Sequence, residues 1–157
     1  MVVWTTPLRN ETSMNKPNSS AQIRALVEAR ARAVHASDAS SILAPNSEQI
    51  VTFDVLPPLV NLGAAQVEAR TSKWLDSYSG APGYEVRDLK VVAGEDVAFA
   101  HYLYRVSGTL KDGREVNMWV RCTLGLQKHD GNWRIVHEHD SVPFDPQTGR
   151  AVLDAQP

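Results

Sequence analysis

The stretch NWRIVHEHDSVPF, residues 132–144, decides the fold. Read at the two-residue period of a strand, it splits into two sets. Trp133, Ile135, His137, His139 and Ser141 form one, and Arg134, Val136, Glu138, Asp140 and Val142 the other. Histidines and large apolar residues fall on one side, carboxylates on the other. Three earlier runs share the period: GYEVRDLKVVAG (83–94), EDVAFAHYLYRVSGTL (95–110) and REVNMWVRCTLGLQK (114–128). The turns between them contain AGED, KDGR and HDGN, residues that suit hairpins. The C-terminal half therefore predicts an antiparallel meander of four strands.

Upstream the period changes. In SAQIRALVEARARAVHAS (20–37), Ile23, Leu26, Val27, Ala31 and Val34 recur near 3.6 spacing, and Ser19 or Ser20 is a candidate cap. Asp38 reads as the cap of a short second helix in DASSILAPN, stopped by Pro45. EQIVTFD (48–54) reads as a strand running into the loop VLPPLVNLG. A third helix follows Gly63, with Val67, Thr71, Trp74, Leu75 and Tyr78 on one face. Helices first and antiparallel strands after predict an α+β domain over residues 20–144. Residues 1–19 read as a loose arm, with Met14 a candidate alternative start, and 145–157 as a polar tail.

A chain of 157 residues, 43% apolar and 22% charged, fits one soluble domain with one core. A net charge of −2 gives no reason to expect nucleic acid or an anionic membrane as partner. No apolar run approaches the roughly 20 residues of a membrane helix. The first ten residues lack the pattern of a signal peptide. The single Cys122 forms no intrachain disulfide, and a cytoplasmic location is expected. There is no CxxC, HExxH, GxGxxG or P-loop pattern, so no metal or cofactor is expected.

DGNWRIVHEHDSVP resembles the final hairpin of SnoaL-like proteins and of the association (hub) domain of the calmodulin-dependent kinase. FDVLPPLVNLG is similar to the loop that carries the catalytic aspartate in ketosteroid isomerases: Asp54 precedes Gly63 by nine residues and follows Asp38 by sixteen. Both likenesses point to the nuclear transport factor 2-like superfamily. The resemblance implies a cystatin-like α+β cone, three N-terminal helices packed on a strongly curved mixed or antiparallel sheet. It also implies a homodimer through the outer face of that sheet. Asp54 falls on the isomerase base. The two isomerase oxyanion donors fall at Arg30 and Leu124, so both are missing, and steroid isomerisation by the usual mechanism is not expected.

The resemblance also sets the strand phase. It turns Phe99, His101, Leu103 and Arg105 inward, then Met118, Val120, Cys122 and Leu124, then Val136, Glu138, Asp140 and Val142. Trp119, Arg121, Thr123, Trp133, Ile135, His137 and His139 then form the outer face and the dimer seam. A one-residue slip reverses every such assignment.

Each candidate has a chemical and a structural reading. Asp54 is a general base among apolar neighbours such as Phe53, Leu56 and Trp74, or it hydrogen-bonds the loop that follows. Glu138 and Asp140 are an acid/base pair, or a structural cluster neutralised by Arg105 and Arg134. His101 relays protons or is a satisfied core histidine. His137 and His139 are a metal pair in want of a third ligand, or subunit-contact residues bonded to Ser141 or Arg121. Cys122 is a buried hydrophobe or a nucleophile. Trp74, Phe99, Leu103, Val120, Cys122, Leu124 and Val136 would line the pocket around an anchoring Arg105. The expected function is a cofactor-independent isomerase, dehydratase, cyclase or hydrolase acting on a small organic molecule. The alternatives are a non-catalytic ligand-binding domain and a hub-like dimerisation domain.

Overall fold

The computed structural model describes residues 18–157. The start at Met14, the leader reading and all of the arm (1–19) but its last two residues lie outside the described residues; Asn18 and Ser19 are not arm but the cap and first residue of α1. Three helices, α1 (Ser19–His35), α2 (Ala39–Leu43) and α3 (Ala64–Asp76), accompany six strands: β1 (Asn46–Phe53), β2 (Asn61–Leu62), β3 (Gly83–Ala93), β4 (Val97–Thr109), β5 (Glu115–His129) and β6 (Asn132–Ser141). The α+β order predicted from periodicity holds, with the two-residue β2 as an addition. Asn18, not a serine, caps α1 by accepting the Ser20 N–H at 2.7 Å. Asp38 caps α2 as expected. Gly63 begins α3 at φ 80°, a conformation glycine adopts without a Cβ penalty. Residues 145–157 carry a small turn, with Phe144 bridged to Ala151.

The sheet is mixed, in the order β2-β1-β6-β5-β4-β3. All neighbours are antiparallel except β1 and β6, which run parallel. That pairing carries Asp54, just past β1, to the same end of the sheet as Asp140 on β6. The core lies between α1, α3 and one sheet face: Ile23, Val27, Ile50, Val67, Ala98, Ala100, Tyr102, Cys122, Leu124, Leu126, Trp133 and Ile135.

Two strand assignments change. On β4 the helix-facing set is Ala98, Ala100, Tyr102, Tyr104 and Val106, paired across β5 with Leu126, Leu124, Cys122, Val120 and Met118. Phe99, His101, Leu103 and Arg105 therefore face outward, opposite to expectation. Packing decides it: Ala98 and Ala100, 5% and 0% exposed, share the core with α1, whereas Phe99 is 47% exposed. The charged and imidazole groups of the other set stay on the accessible side, where they need no buried partner.

The second change lies in the deciding stretch itself. Gly125 pairs with His137, but Leu126 pairs with Ile135, so Val136 is an extra residue in a β-bulge. The alternation shifts by one there. Trp133 and Ile135 before the bulge, and Glu138 and Asp140 after it, all face the helices. Trp133 and Ile135 are thus core residues, 7% and 0% exposed, rather than seam residues. Val136 is half-buried at the bulge, not in an alternating pocket row. Gly125 permits the close approach: a Cβ there would meet the His137 Cβ at 3.3 Å.

The assignment predicts an asymmetry. Ile135→Ala lowers unfolding free energy by about 2–5 kcal/mol, the usual cost of a buried truncation. Phe99→Ala, on the outer face, costs within about 0.5 kcal/mol in the monomer. Urea unfolding of both variants checks it; the reverse ranking contradicts the phase.

Candidate active site

A cavity of about 130 Å³ lies between α1, α3 and the sheet. Arg30 and Val34 of α1, Arg70, Thr71 and Trp74 of α3, Tyr84 of β3, Tyr104 of β4, Met118 of β5, and Glu138 and Asp140 of β6 line it, with Asp54 beyond the end of β1. It adjoins an open depression of about 850 Å³ under the loop Val55–Val60, and Phe53, Asp54, Leu56 and Asp140 border both. The depression is walled mainly by apolar side chains, with Leu56 50% and Leu59 92% exposed.

Among the described residues, the charged groups of the cavity sort into two ion pairs and one carboxyl without a cation. Arg30 Nη2 donates to Glu138 Oε2 at 3.0 Å, and both side chains are largely buried, 14% and 12% exposed. Burial opposes the Arg30 charge, but Glu138 and the nearby tyrosines outweigh it and hold its pKa well above the ordinary value. Arg70 pairs with Asp54 at the rim, where the side chains are 19% and 24% exposed. Asp54 Oδ1 also accepts the Leu56 N–H at 3.1 Å, so the loop-bonding reading of Asp54 holds alongside its place in the cavity.

Asp140 makes no ion pair among the described residues. Tyr104 Oη donates to its Oδ2 at 3.2 Å, and its Oδ1 is buried with no partner among the described residues. Burial first, then the charges of Glu138 and Asp54, push its pKa well above the usual carboxylate range, only partly offset by the neighbouring Cys122 thiol and by Arg30. Burial likewise raises the hydroxyls of Tyr84, Tyr102 and Tyr104, which remain donors.

A carboxyl with a raised folded-state pKa has a stability signature. Its contribution is fully present below the unfolded pKa near 4 and is lost as pH rises through the folded pKa. Between those limits Asp140 tilts the wild-type stability profile downward by up to about 1.4 kcal/mol per pH unit. Asp140→Asn removes that tilt. Denaturant midpoints across acid and neutral pH check it; superimposable wild-type and variant profiles contradict it.

Of the expected pocket residues, the structure brings together Asp54, Trp74, Glu138 and Asp140. Cys122 and Leu124 lie beneath them in the core, as does Val120, 1% exposed. The Cys122 Sγ is 3.9 Å from Glu138 Oε1. Burial and the two carboxylates push its thiol up, against the nucleophile reading. Cys122, Glu138 and Asp140 offer ligand atoms within 4.8 Å of one another, and these are the residues that could approach a metal ion. Arg30 already occupies Glu138, and a guanidinium there repels a cation.

The other expected residues lie elsewhere. Arg105 is on the outer face, paired with Glu85 at 2.9 Å and set over the Trp119 ring. It is neither the anchor nor the counter-ion of the acids. Arg134 donates to the Ala44 carbonyl at 2.7 Å. His101 is exposed beside Phe99. His137 donates from Nδ1 to the Val51 carbonyl at 3.0 Å rather than bonding Ser141 or Arg121.

Arg30, Arg70 and Tyr104 are the functional candidates that strand and helix periodicity passed over. The signal for Arg30 is present: Ile23, Val27, Arg30 and Val34 form one helical stripe, with a charge in a core position. Arg70 stands in the same way between Val67 and Trp74. Arg30, where the resemblance would put a tyrosine donor, is engaged by Glu138.

A family model described as a SnoaL-like domain matches residues 23–145, and the chain belongs to this family. A nuclear transport factor 2-like protein of unknown function from Pseudomonas putida is 32% identical, with a TM-score of 0.80, over 89% of this chain and 99% of that one. A protein with a cystatin-like fold from Caulobacter vibrioides is 18% identical (TM-score 0.69; 82% and 92% covered). A ketosteroid isomerase-like protein from Erwinia carotovora atroseptica is 20% identical (TM-score 0.66; 77% and 93% covered). The last two share the fold. No curated protein matches the chain in sequence. Among the described residues no helix is long and apolar enough to cross a membrane.

Proposed function

We propose that this SnoaL-like protein is a cofactor-independent acid/base enzyme acting on a small carbonyl compound, with Asp140 as the proton donor and Asp54 as the base. The observation that carries it is a buried carboxyl without a cation, Asp140, beside a carboxylate that has one, Asp54. Two carboxyls whose surroundings separate their proton affinities are the equipment for donating and accepting protons together. Asp140 Oδ2 accepts from Tyr104, which leaves the proton on Oδ1, the atom with no partner among the described residues. That proton bonds a substrate carbonyl and stabilises the oxyanion as it forms. Asp54 removes the adjacent C–H proton. Isomerisation and dehydration of carbonyl compounds both begin this way. Trp74, Met118 and Tyr84 would hold the reacting end, and the adjoining depression the remainder of the substrate.

The reading includes a cone-like enclosure of the cavity, a cytoplasmic location and a homodimer. The outer sheet face would form the seam through Trp119, Arg121, His137 and His139, joined by Phe99 and Leu103 in place of Trp133.

A test needs no knowledge of the natural product. Small ketones and oxo acids are incubated with the protein in D₂O, and deuterium entry next to the carbonyl is followed by NMR. Exchange above background that disappears in Asp140→Asn is the expected result. Saturable ligand binding without exchange for any compound favours the non-catalytic ligand-binding alternative, to which the arginine-bound state of Asp54 and Glu138 lends support.

A further inference from the structure

Resting on that reading, we infer that the substrate is a short oxo acid whose carboxylate displaces Asp54 from Arg70, so that the substrate itself releases the base. The Arg70–Asp54 pair sits at the rim, where the cavity meets the open depression, and is the more exposed of the two cavity ion pairs. Asp54 Oδ1 is taken by Arg70 and by the Leu56 N–H, so the free protein keeps its base engaged. Arg70 is a planar fork, and its Nε is buried without a partner among the described residues. An entering carboxylate can take both edges of that fork, a geometry arginine favours, in place of Asp54.

The ligand class follows from charge and size. Arg30 is committed to Glu138, so one guanidinium is open to exchange; an entering carboxylate leaves Asp54 without its cation at the rim, and a dianionic phosphate would add a second unpaired charge there. A cavity of about 130 Å³ admits a carboxylate and a carbonyl but little more. The apolar remainder then lies along Leu56, Leu59 and Val60. With the carboxylate on Arg70 and the carbonyl oxygen on the Asp140 O–H, the intervening C–H bond lies toward the freed Asp54. That bond breaks, its proton passes to Asp54, the electron pair forms the enol C=C, and the Asp140 proton moves to the carbonyl oxygen.

The test compares 4-oxopentanoate and 5-oxohexanoate with their methyl esters in the deuterium-exchange assay, each rate divided by its uncatalysed rate. The wild type is expected to exchange the acids at least about ten times faster than the esters. Arg70→Gln removes the landing site but also the latch, so acid exchange falls while ester exchange holds or rises, and the ratio collapses to about one. A structural role for Arg70 would lower both together, and that outcome overturns the inference. Wild-type exchange of esters as fast as acids overturns it while leaving the acid/base reading standing. Exchange of neither overturns both.

Discussion

Asp54→Asn is expected to slow deuterium exchange by about 10²–10⁴-fold, the usual contribution of a positioned general base. The substitution keeps the size of the side chain and its ability to accept the Leu56 N–H, so the loop keeps its hydrogen bond. Arg70 loses its partner, but at the rim the solvent can take that role, and the melting temperature should move by only a few degrees. A large loss of exchange with a small loss of stability separates the base from the loop-bonding role. Exchange within a few-fold of wild type, for every compound that the wild type turns over, would remove Asp54 from the chemistry.

The second large effect is on stability. Glu138→Leu strands the Arg30 guanidinium in the cavity wall and should cost roughly 3–5 kcal/mol, the range for breaking one side of a buried pair. For a domain of this size that corresponds to a melting temperature lower by about 6–20 °C. Asp140 is the nearest replacement anion, so the loss should shrink as pH rises and Asp140 ionises. The double variant Arg30→Met/Glu138→Leu removes both charges and should recover most of the loss, because an apolar pair of similar volume replaces a desolvated one. Calorimetry of the two variants checks the pattern; a double variant no more stable than Glu138→Leu contradicts it.

The order of elements was legible because each has a period that local chemistry enforces: Ile23, Val27 and Val34 in α1, the Asp38 cap, the alternating runs of β3 to β6. Which face each strand turns inward was only partly legible. On β4, both alternating sets mix apolar and polar residues, and what selects between them is the core that Ala98 and Ala100 share with Ile23 and Val27 of α1. That is a tertiary constraint with no local trace. On β6 the extra residue at Val136 lets Trp133, Ile135, Glu138 and Asp140 share a face, an arrangement no unbroken alternation permits. Glu138 and Asp140 line the cavity, but the arginines beside them are not those of the strands: Arg30 and Arg70 come from helices, on stripes otherwise apolar. A charge inside an apolar stripe was the available sign that those helices border a polar cavity.

The claim at the centre of this account is that the Asp140 carboxyl is pushed well above the ordinary carboxylate range beside an Asp54 that is paired with Arg70. The most direct measurement is an NMR pH titration of the aspartate side-chain carboxyls with ¹³C labelling, assigned by loss of one signal in Asp140→Asn. The account predicts that the Asp140 carboxyl titrates well above the ordinary carboxylate range and falls in Asp54→Asn, where a nearby negative charge is gone. An Asp140 carboxyl that titrates at or below about 4, the value of an unperturbed aspartate, would contradict it.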